Sequence, residues 1–384
     1  MNDPTFLTEI RPIIRKLLER ELPHYRKERL GRFPRNLFKQ CAEAGLAGIG
    51  VSEEFGGIDA SAESSAGIME ELAIGDLGPA IFISVHAMVA KLIEKFGNQS
   101  QKEKYLSRMA SGELLGAFAL TEPSSGSDAA SLRTTAELAG DDFVLTGEKS
   151  YISSADSADL FIVFASSNLS LGAKGISAFI VERVTAGVIV SPPDTKMGCE
   201  LSTIASVTLS KAKVSRTSLL GAENEGFKIA LSGLAGGRVN IAACAVGIAK
   251  AALRLAVNYA KERKQFQSRV IDFQGIQFML ADMKMKLDAA ALLTKSAARG
   301  LDEKIQTSQS RIAPSIAKCF ATDAAMEITT NAVQILGGAG YLEDYDVERI
   351  MRDAKMLQIV EGTNQIQRVL IARGLDQDTA GTLA

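Results

Sequence analysis

One acidic residue near the C-terminus stands where a carboxylate could act as a base. Ile359-Val360-Glu361-Gly362-Thr363-Asn364 separates two stretches of helical character. Met351 to Met356 reads as the first helix. Thr363 can cap the second, whose apolar face carries Ile366, Val369 and Leu370. Between them Gly362 lets the backbone turn sharply and approach a ligand with no Cβ in the way. Flanked by Ile359 and Val360, the Glu361 carboxylate can sit in a dry pocket, where burial raises its pKa and makes it a stronger base. The same residues also suit an ordinary helix–helix turn with a solvated glutamate.

A second stretch, Ala119-Leu120-Thr121-Glu122-Pro123-Ser124-Ser125-Gly126-Ser127-Asp128, follows a short apolar strand from Leu115 to Leu120. Its hydroxyls and backbone N–H groups are free to meet a ligand. It lacks the Gly-Lys-Ser/Thr of a P-loop and the spacing of a dinucleotide fingerprint. By itself it reads equally as a plain polar loop.

Five motifs in order remove that ambiguity. Leu120-Thr121-Glu122-Pro123 with Gly126-Ser127-Asp128 comes first, then Gly147-Glu148-Lys149-Ser150-Tyr151-Ile152-Ser153. Glu262-Arg263-Lys264-Gln265-Phe266 and Gln334-Ile335-Leu336-Gly337-Gly338-Ala339-Gly340-Tyr341 follow, and the turn at Glu361 closes the series. From about Leu37 to Arg373 this pattern resembles the flavin-dependent acyl-CoA dehydrogenase family.

The resemblance implies an α+β protein with the acyl-CoA dehydrogenase fold: an N-terminal helical domain, a middle β-barrel domain and a C-terminal four-helix bundle. It implies FAD as cofactor and α,β-dehydrogenation of an acyl-CoA thioester to the 2-enoyl-CoA. Glu361 would remove the α-proton while hydride passes to flavin N5. The thioester oxygen would meet the Glu361 backbone N–H and a flavin hydroxyl, and Gly362 would border the substrate. Leu120 and Thr121 would contact the flavin ring, Ser127 would face the flavin pyrophosphate or the pantetheine, and Gly126 would belong to the cofactor site. Tyr151 and Ser153 stand where many relatives carry Trp and Thr. Arg263, Gln334, Gly337 and Gly338 would serve the flavin of a neighbouring subunit, with Gln265 at an often hydroxylic cofactor position and Phe266 packing nearby, and Thr363 and Gln365 would complete the cofactor site. Arg238, at the start of a long apolar helix, would lie near the substrate. The expected acceptor is an electron-transferring flavoprotein, and the expected assembly a homotetramer.

Residue types also separate branches of this family. Some place the base immediately before the arginine equivalent to Arg238, but here that position is Gly237. A dicarboxylate-specific branch has an arginine just ahead of the Ser84-Val85-His86 stretch, where this chain has Pro79-Ala80-Ile81-Phe82-Ile83. Ala80, Ile81, Ile83, Ala87, Met88 and Gly237 are the expected acyl-pocket wall. Rival readings are an enoyl-CoA reductase running the same chemistry backwards, an acyl-CoA oxidase and a catalytically idle flavin binder.

Composition fits an enzyme. The chain of 384 residues is long enough for two or three domains, with 46% hydrophobic and 23% charged residues. A net charge of −2 gives no electrostatic reason to expect nucleic acid as a partner. No apolar run reads as long enough to span a bilayer, and the first residues lack a targeting pattern, which suggests a cytoplasmic protein. Cys41, Cys199, Cys244 and Cys319 are widely spaced and read as free buried thiols. Two histidines, His24 and His86, are too few and too far apart for a histidine-based metal site, and His86 reads as a packing or capping residue.

The chain changes character twice, giving expected domains at 1–113, 114–225 and 226–384. Helices are expected at Ile10 to Leu22, Asn36 to Gly45, Glu63 to Ile74 and Gln101 to Ala110. A hairpin then joins Thr134–Leu138 to Phe143–Thr146, and short strands follow at Leu160–Ala165, Ala178–Glu182, Gly187–Val190 and Ala205–Leu209. Two alanine-rich apolar stripes then mark long helices: one runs from Ala242 to Ala260 and the other from Ile276 to Ala290.

Overall fold

Helices fill the first hundred residues of the computed structural model, which describes residues 4–28, 31–303 and 308–377. They are α1 (Pro4–Glu28), α2 (Arg35–Glu43), α3 (Ala62–Gly75), α4 (Leu77–Phe96) and α5 (Gln99–Ala110). Four of them match the sequence expectation. The fifth, α4, does not appear there, because it is apolar on nearly every side and shows no helical stripe. Its start is set by Asp76, whose side chain accepts the Gly78 N–H at 2.9 Å.

The middle of the chain forms β1 (Gly116–Ala119), β2 (Thr135–Ala139), β3 (Asp142–Ser153), β4 (Leu160–Ser166), β5 (Ile176–Glu182), β6 (Val188–Val190), β7 (Ile204–Ser215) and β8 (Leu219–Leu220). They make one sheet in the order β6-β7-β3-β2-β4-β5-β8, with β1 pairing parallel to β4. The expected hairpin is the β2–β3 pair, with Thr135 opposite Thr146. β4 is buried on both faces. Leu160, Ile162 and Phe164 point into a cluster shared with α4 and α5, while Phe161, Val163 and Ala165 pack with Phe143, Phe179 and Val207. Strand alternation thus joins one face of the sheet to the helices and closes the other upon itself.

The last part holds α6 (Gly226–Glu262), a small hairpin of β9 (Lys264–Gln265) and β10 (Ser268–Arg269), α7 (Gln274–Asp302), α8 (Ser308–Leu336), α9 (Val347–Leu357) and α10 (Asn364–Gln377). α8 is central to the bundle and touches α6, α7, α9 and α10. Residues 1–3 and 378–384 of the expected terminal domains lie outside the described residues. Arg238 is not at the start of α6: the helix begins at Gly226, about three turns earlier. Each glycine inside α6 costs about 1 kcal/mol of helix propensity relative to alanine. Close approach explains some of them, Gly247 among them. A Cβ on Gly247 would sit 2.4 Å from the Glu70 carbonyl oxygen, so α3 and α6 meet backbone to backbone there.

α4 and α6 are long and apolar enough to cross a membrane by length and composition, against the expectation from sequence. Their most apolar windows are 83% and 72% buried within the protein, and contact with other elements accounts for their character.

An ion network anchors α9, the helix that leads to Glu361. Arg349 reaches Asp76 at 3.0 Å, Asp353 at 3.0 Å and Asp346 at 3.2 Å, and Arg26 joins Asp346 at 3.1 Å. Asp353 also accepts the Cys199 backbone N–H. Burial and the neighbouring Asp76 push the Asp353 carboxyl up to about 6, against the pull of Arg349. The network ties α1, the start of α4, the loop before β7 and α9 to one another.

All four cysteines are free and buried, as their spacing suggests. His86 packs beneath Phe38, accepts the Gly116 N–H through Nδ1 at 3.2 Å and lies 3.1 Å from the Met109 carbonyl through Nε2. Burial lowers its pKa to about 4, so it is a neutral structural bridge.

Candidate active site

The turn after α9 takes a rare shape. Glu361 has φ 57° and Gly362 φ 87°, two successive residues in the left-handed region. For a glutamate this costs on the order of 1–3 kcal/mol unless its surroundings impose it. They do so through carbonyls. Arg238 Nε donates to the Glu361 carbonyl at 3.3 Å and Gln367 Nε2 to the same atom at 3.0 Å. Gln367 Nε2 also reaches the Gly362 carbonyl at 2.8 Å, and Lys318 Nζ reaches it at 3.0 Å. Thr363 caps α10 as expected, its hydroxyl accepting the Ile366 N–H at 3.3 Å.

The Glu361 carboxylate is held differently. Its Oε2 is buried with no hydrogen-bond partner among the described residues. Burial pushes its pKa up to about 7, although Arg238 and Lys318 both pull it down. Such a group titrates near neutral pH and, once ionised, keeps an open lone pair, as a general base requires. The Glu361 backbone N–H also has no acceptor among the described residues, which leaves a donor beside the base. Gly237 makes room for the carboxylate: a Cβ there would lie 2.5 Å from Oε2 and 2.7 Å from Met88 Cε. Ala87, Met88 and Gly237 also line a cavity of about 730 Å³ between α4 and α6. The other expected wall residues, Ala80, Ile81 and Ile83, are buried in the core and do not line that cavity.

The second cluster surrounds the end of β1. Glu122 and Lys149 form a buried ion pair at 2.6 Å. Glu122 also accepts from the Thr134 hydroxyl at 2.6 Å and the Arg133 N–H at 2.6 Å, while Lys149 donates to the Leu120 carbonyl at 3.2 Å. Burial lowers the Lys149 pKa to about 8, offset in part by Glu122. Together with Ser150 N–H to Thr121 carbonyl at 2.9 Å, these bonds lock the first motif onto the second. Glu122→Ala leaves Lys149 as an unpaired buried cation and should destabilise the protein by about 3–5 kcal/mol. The midpoint of denaturant unfolding measures this, and an unchanged midpoint would refute it.

Tyr151 follows, at φ 59° where the β3–β7 register shifts between Lys149 and Ile152. The irregularity turns its ring outward, and it is 66% exposed. The Thr121 N–H and the hydroxyls of Thr121, Ser127 and Ser153 have no partner among the described residues, and nothing lies near Gly126 to fill the space of a Cβ. An exposed aromatic face beside unpaired donors fits the stacking surface and hydrogen-bonding edge of a flavin.

The remaining motif residues lie elsewhere. Arg263, Gln265 and Phe266 are exposed at the end of α6, on β9 and in the turn that follows it, with Phe266 91% exposed. Gln334, Gly337 and Gly338 are exposed at the end of α8, and Gln365 is exposed on α10. Gly337, at φ 61°, is also the left-handed residue that ends α8. Sequence reasoning missed Lys318, Gln367 and Asn364, which hold the Glu361 turn. The available signal was a lone lysine within the alanine-lined face of α8, between Ala317 and Ala321.

Family models for the acyl-CoA dehydrogenase N-terminal, middle and C-terminal domains match residues 7–113, 117–212 and 224–375. The chain belongs to the acyl-CoA dehydrogenase family. It is 45% identical over 353 residues to an acyl-CoA dehydrogenase of Bacillus subtilis, covering 91% of each chain. It is 40% identical over 379 residues to a 3-(aryl)acrylate reductase of Clostridium sporogenes, covering 96% of this chain and 99% of the other. A solved chain reported under the electron transferring flavoprotein of Acidaminococcus fermentans superposes with a TM-score of 0.94 at 42% identity, covering 98% of this chain and 100% of the other. The protein is accordingly an FAD-dependent oxidoreductase of acyl-CoA thioesters, with the three-part helical, sheet and helical fold of the family.

Proposed function

We propose that Glu361 is the base that removes the α-proton of the acyl-CoA. The observation that carries this reading is its buried, unpartnered Oε2 beside Gly237 and Arg238. The α-carbon of a thioester is weakly acidic, so the oxygen must be stabilised as charge develops. The unpaired Glu361 N–H, set at φ 57°, is the donor this chain offers for that oxygen. Arg238 and Gln367 hold the carbonyl of the same residue, and so orient the peptide and the base together. Leu120, Thr121, Gly126, Ser127, Tyr151 and Ser153, with Thr363 and Gln365, would hold the flavin, which when bound would supply the acceptor for the β-hydride.

The exposed Arg263, Gln265, Phe266, Gln334, Gly337 and Gly338 fit a role toward the flavin of a second copy, consistent with a homotetramer. The natural direction is oxidation, with electrons leaving to an electron-transferring flavoprotein. The similarity to an acrylate reductase favours one second reading, in which the same groups run the reaction backwards.

Anaerobic titration of the yellow protein with butyryl-, isobutyryl-, octanoyl- and 3-phenylpropionyl-CoA tests the direction and names the acyl class. Bleaching of the oxidised flavin by one of them supports dehydrogenation. Bound flavin that none of them bleaches would favour the reductase reading.

The pH dependence follows from the carboxylate. Only ionised Glu361 accepts the proton, so the bleaching rate should rise with pH and level off above about 7. At pH 5 it should be lower by about 10²-fold, two units below that value. A rate flat from pH 5 to 8 would count against Glu361 as the base.

A further inference from the structure

Lys318 lies within α8 with its side chain wholly buried, at a place where apolar neighbours would suffice for packing. Burying an ammonium costs several kcal/mol unless it is well paired. Its contacts are all to the base turn and the start of α10: the Gly362 carbonyl at 3.0 Å and Asn364 Oδ1 at 2.8 Å. Asn364 passes this hold back to α8, donating to Thr322 at 2.8 Å and Asp323 at 2.7 Å. Asp323 in turn accepts from Gln358 at 2.7 Å and Arg368 at 2.6 Å. Both ends of the turn, Gln358 and Asn364, are therefore tied to α8.

The Gly362 carbonyl does not need Lys318 for hydrogen bonding, because Gln367 already donates to it at 2.8 Å. What the lysine adds is charge. It faces the turn from α8 as Arg238 faces it from α6, and both cations bond backbone carbonyls, leaving Oε2 of the carboxylate unpaired. A direct ion pair would occupy the lone pair that must take the proton.

We propose that Lys318 is a positioning residue for the base: its buried ammonium clamps the left-handed Glu361–Gly362 turn through the Gly362 carbonyl and, without touching the carboxylate, keeps it in the charged, proton-accepting form. This rests on Glu361 being the base. The titratable and charged groups that face the pair are Arg238 from α6, Cys319 and Asp323 from α8, and Arg368 from α10. Burial lowers the Lys318 pKa to about 8, which still leaves it cationic at neutral pH.

The test is the pH profile of flavin bleaching in the holoenzyme, using the acyl-CoA of the panel above that bleaches wild type. Lys318→Met and Lys318→Gln should move the midpoint up by about one pH unit, since a nearby opposite charge is worth about that much. The rate at pH 6 then falls about tenfold while the alkaline plateau changes little. Lys318→Arg should return the midpoint towards wild type. If the methionine variant gives no soluble holoenzyme, the glutamine variant carries the test, because it keeps a donor for the carbonyl and removes only the charge. Midpoints equal to wild type would overturn the proposal, even if the plateau or flavin content drops. So would a shift equally large in the arginine variant. A Glu361→Gln control separates the two readings: if it bleaches at the wild-type rate, Glu361 is not the base and both fall. If it is dead while the Lys318 profiles stay put, only the proposal for Lys318 fails.

Discussion

Replacing Glu361 by Gln is expected to abolish substrate-driven flavin bleaching while leaving the flavin bound. A positioned general base contributes about 10²–10⁴-fold, and no other carboxylate stands at Gly237 to replace it. The amide keeps the volume and the backbone of the turn, so the loss should fall on the chemical step and leave acyl-CoA binding nearly intact. The same variant should also be more stable than wild type at alkaline pH. The folded-state pKa of Glu361 is about 7, above its ordinary value of 4.5. Its protonated form is therefore favoured in the fold. The associated stability is full below about 4.5 and is lost as pH rises through about 7. Above that, removing the charge should recover up to about 3 kcal/mol in the absence of substrate. Urea unfolding of both proteins at pH 5 and pH 8 measures this. Equal stability gaps at the two values would show that the carboxylate is not desolvated.

Gly237→Ala is the second large effect. The added methyl would stand 2.5 Å from Glu361 Oε2 and 2.6 Å from its Cδ, well inside contact distance. Met88 can swing its terminal methyl aside, but the carboxylate sits on a turn tied to Arg238, Gln367 and Lys318. The side chain must leave its place, and a displacement of about 1 Å in a catalytic group costs about 10²-fold. The expected result is a bleaching rate reduced by about that factor, with flavin content and unfolding midpoint near wild type. Gly236→Ala is the control, since nothing lies within 4 Å of a Cβ there. Equal rates in the two variants would mean that the space at Gly237 does not serve the base.

The sequence carried the chemistry because the groups that act are local in the chain. Glu361 and Gly362 are adjacent, Thr363 caps its own helix, and Thr121 lies one residue from Glu122. The strands of the middle domain were legible from alternation, and α3, α5 and the stripes of α6 and α7 from their periods. α4 was not, because a helix buried on all sides loses the contrast between faces that periodicity detects. The first turns of α6, before Arg238, were obscured by their glycines, and the meaning of Gly233 and Gly237 lies in what touches them: Met88 and Leu92 at the first, Glu361 at the second.

The pairing of long-range partners had no local signature: the lone lysine in the alanine-lined face of α8 marks Lys318 but not what it bonds. Lys318 and Gly362 are 44 residues apart, as are no two members of any motif that the sequence displays. Glu122 and Lys149 each look like surface charges within their own stretch and become a buried pair only when β1 and β3 meet. By itself the sequence determined the three kinds of domain, the flavin motifs and the identity of the acid that could act. Only the tertiary structure decided that this acid is buried, unpaired and flanked by two cations. Burial and charge are sums over neighbours, and those neighbours come from α4, α6, α8 and α10.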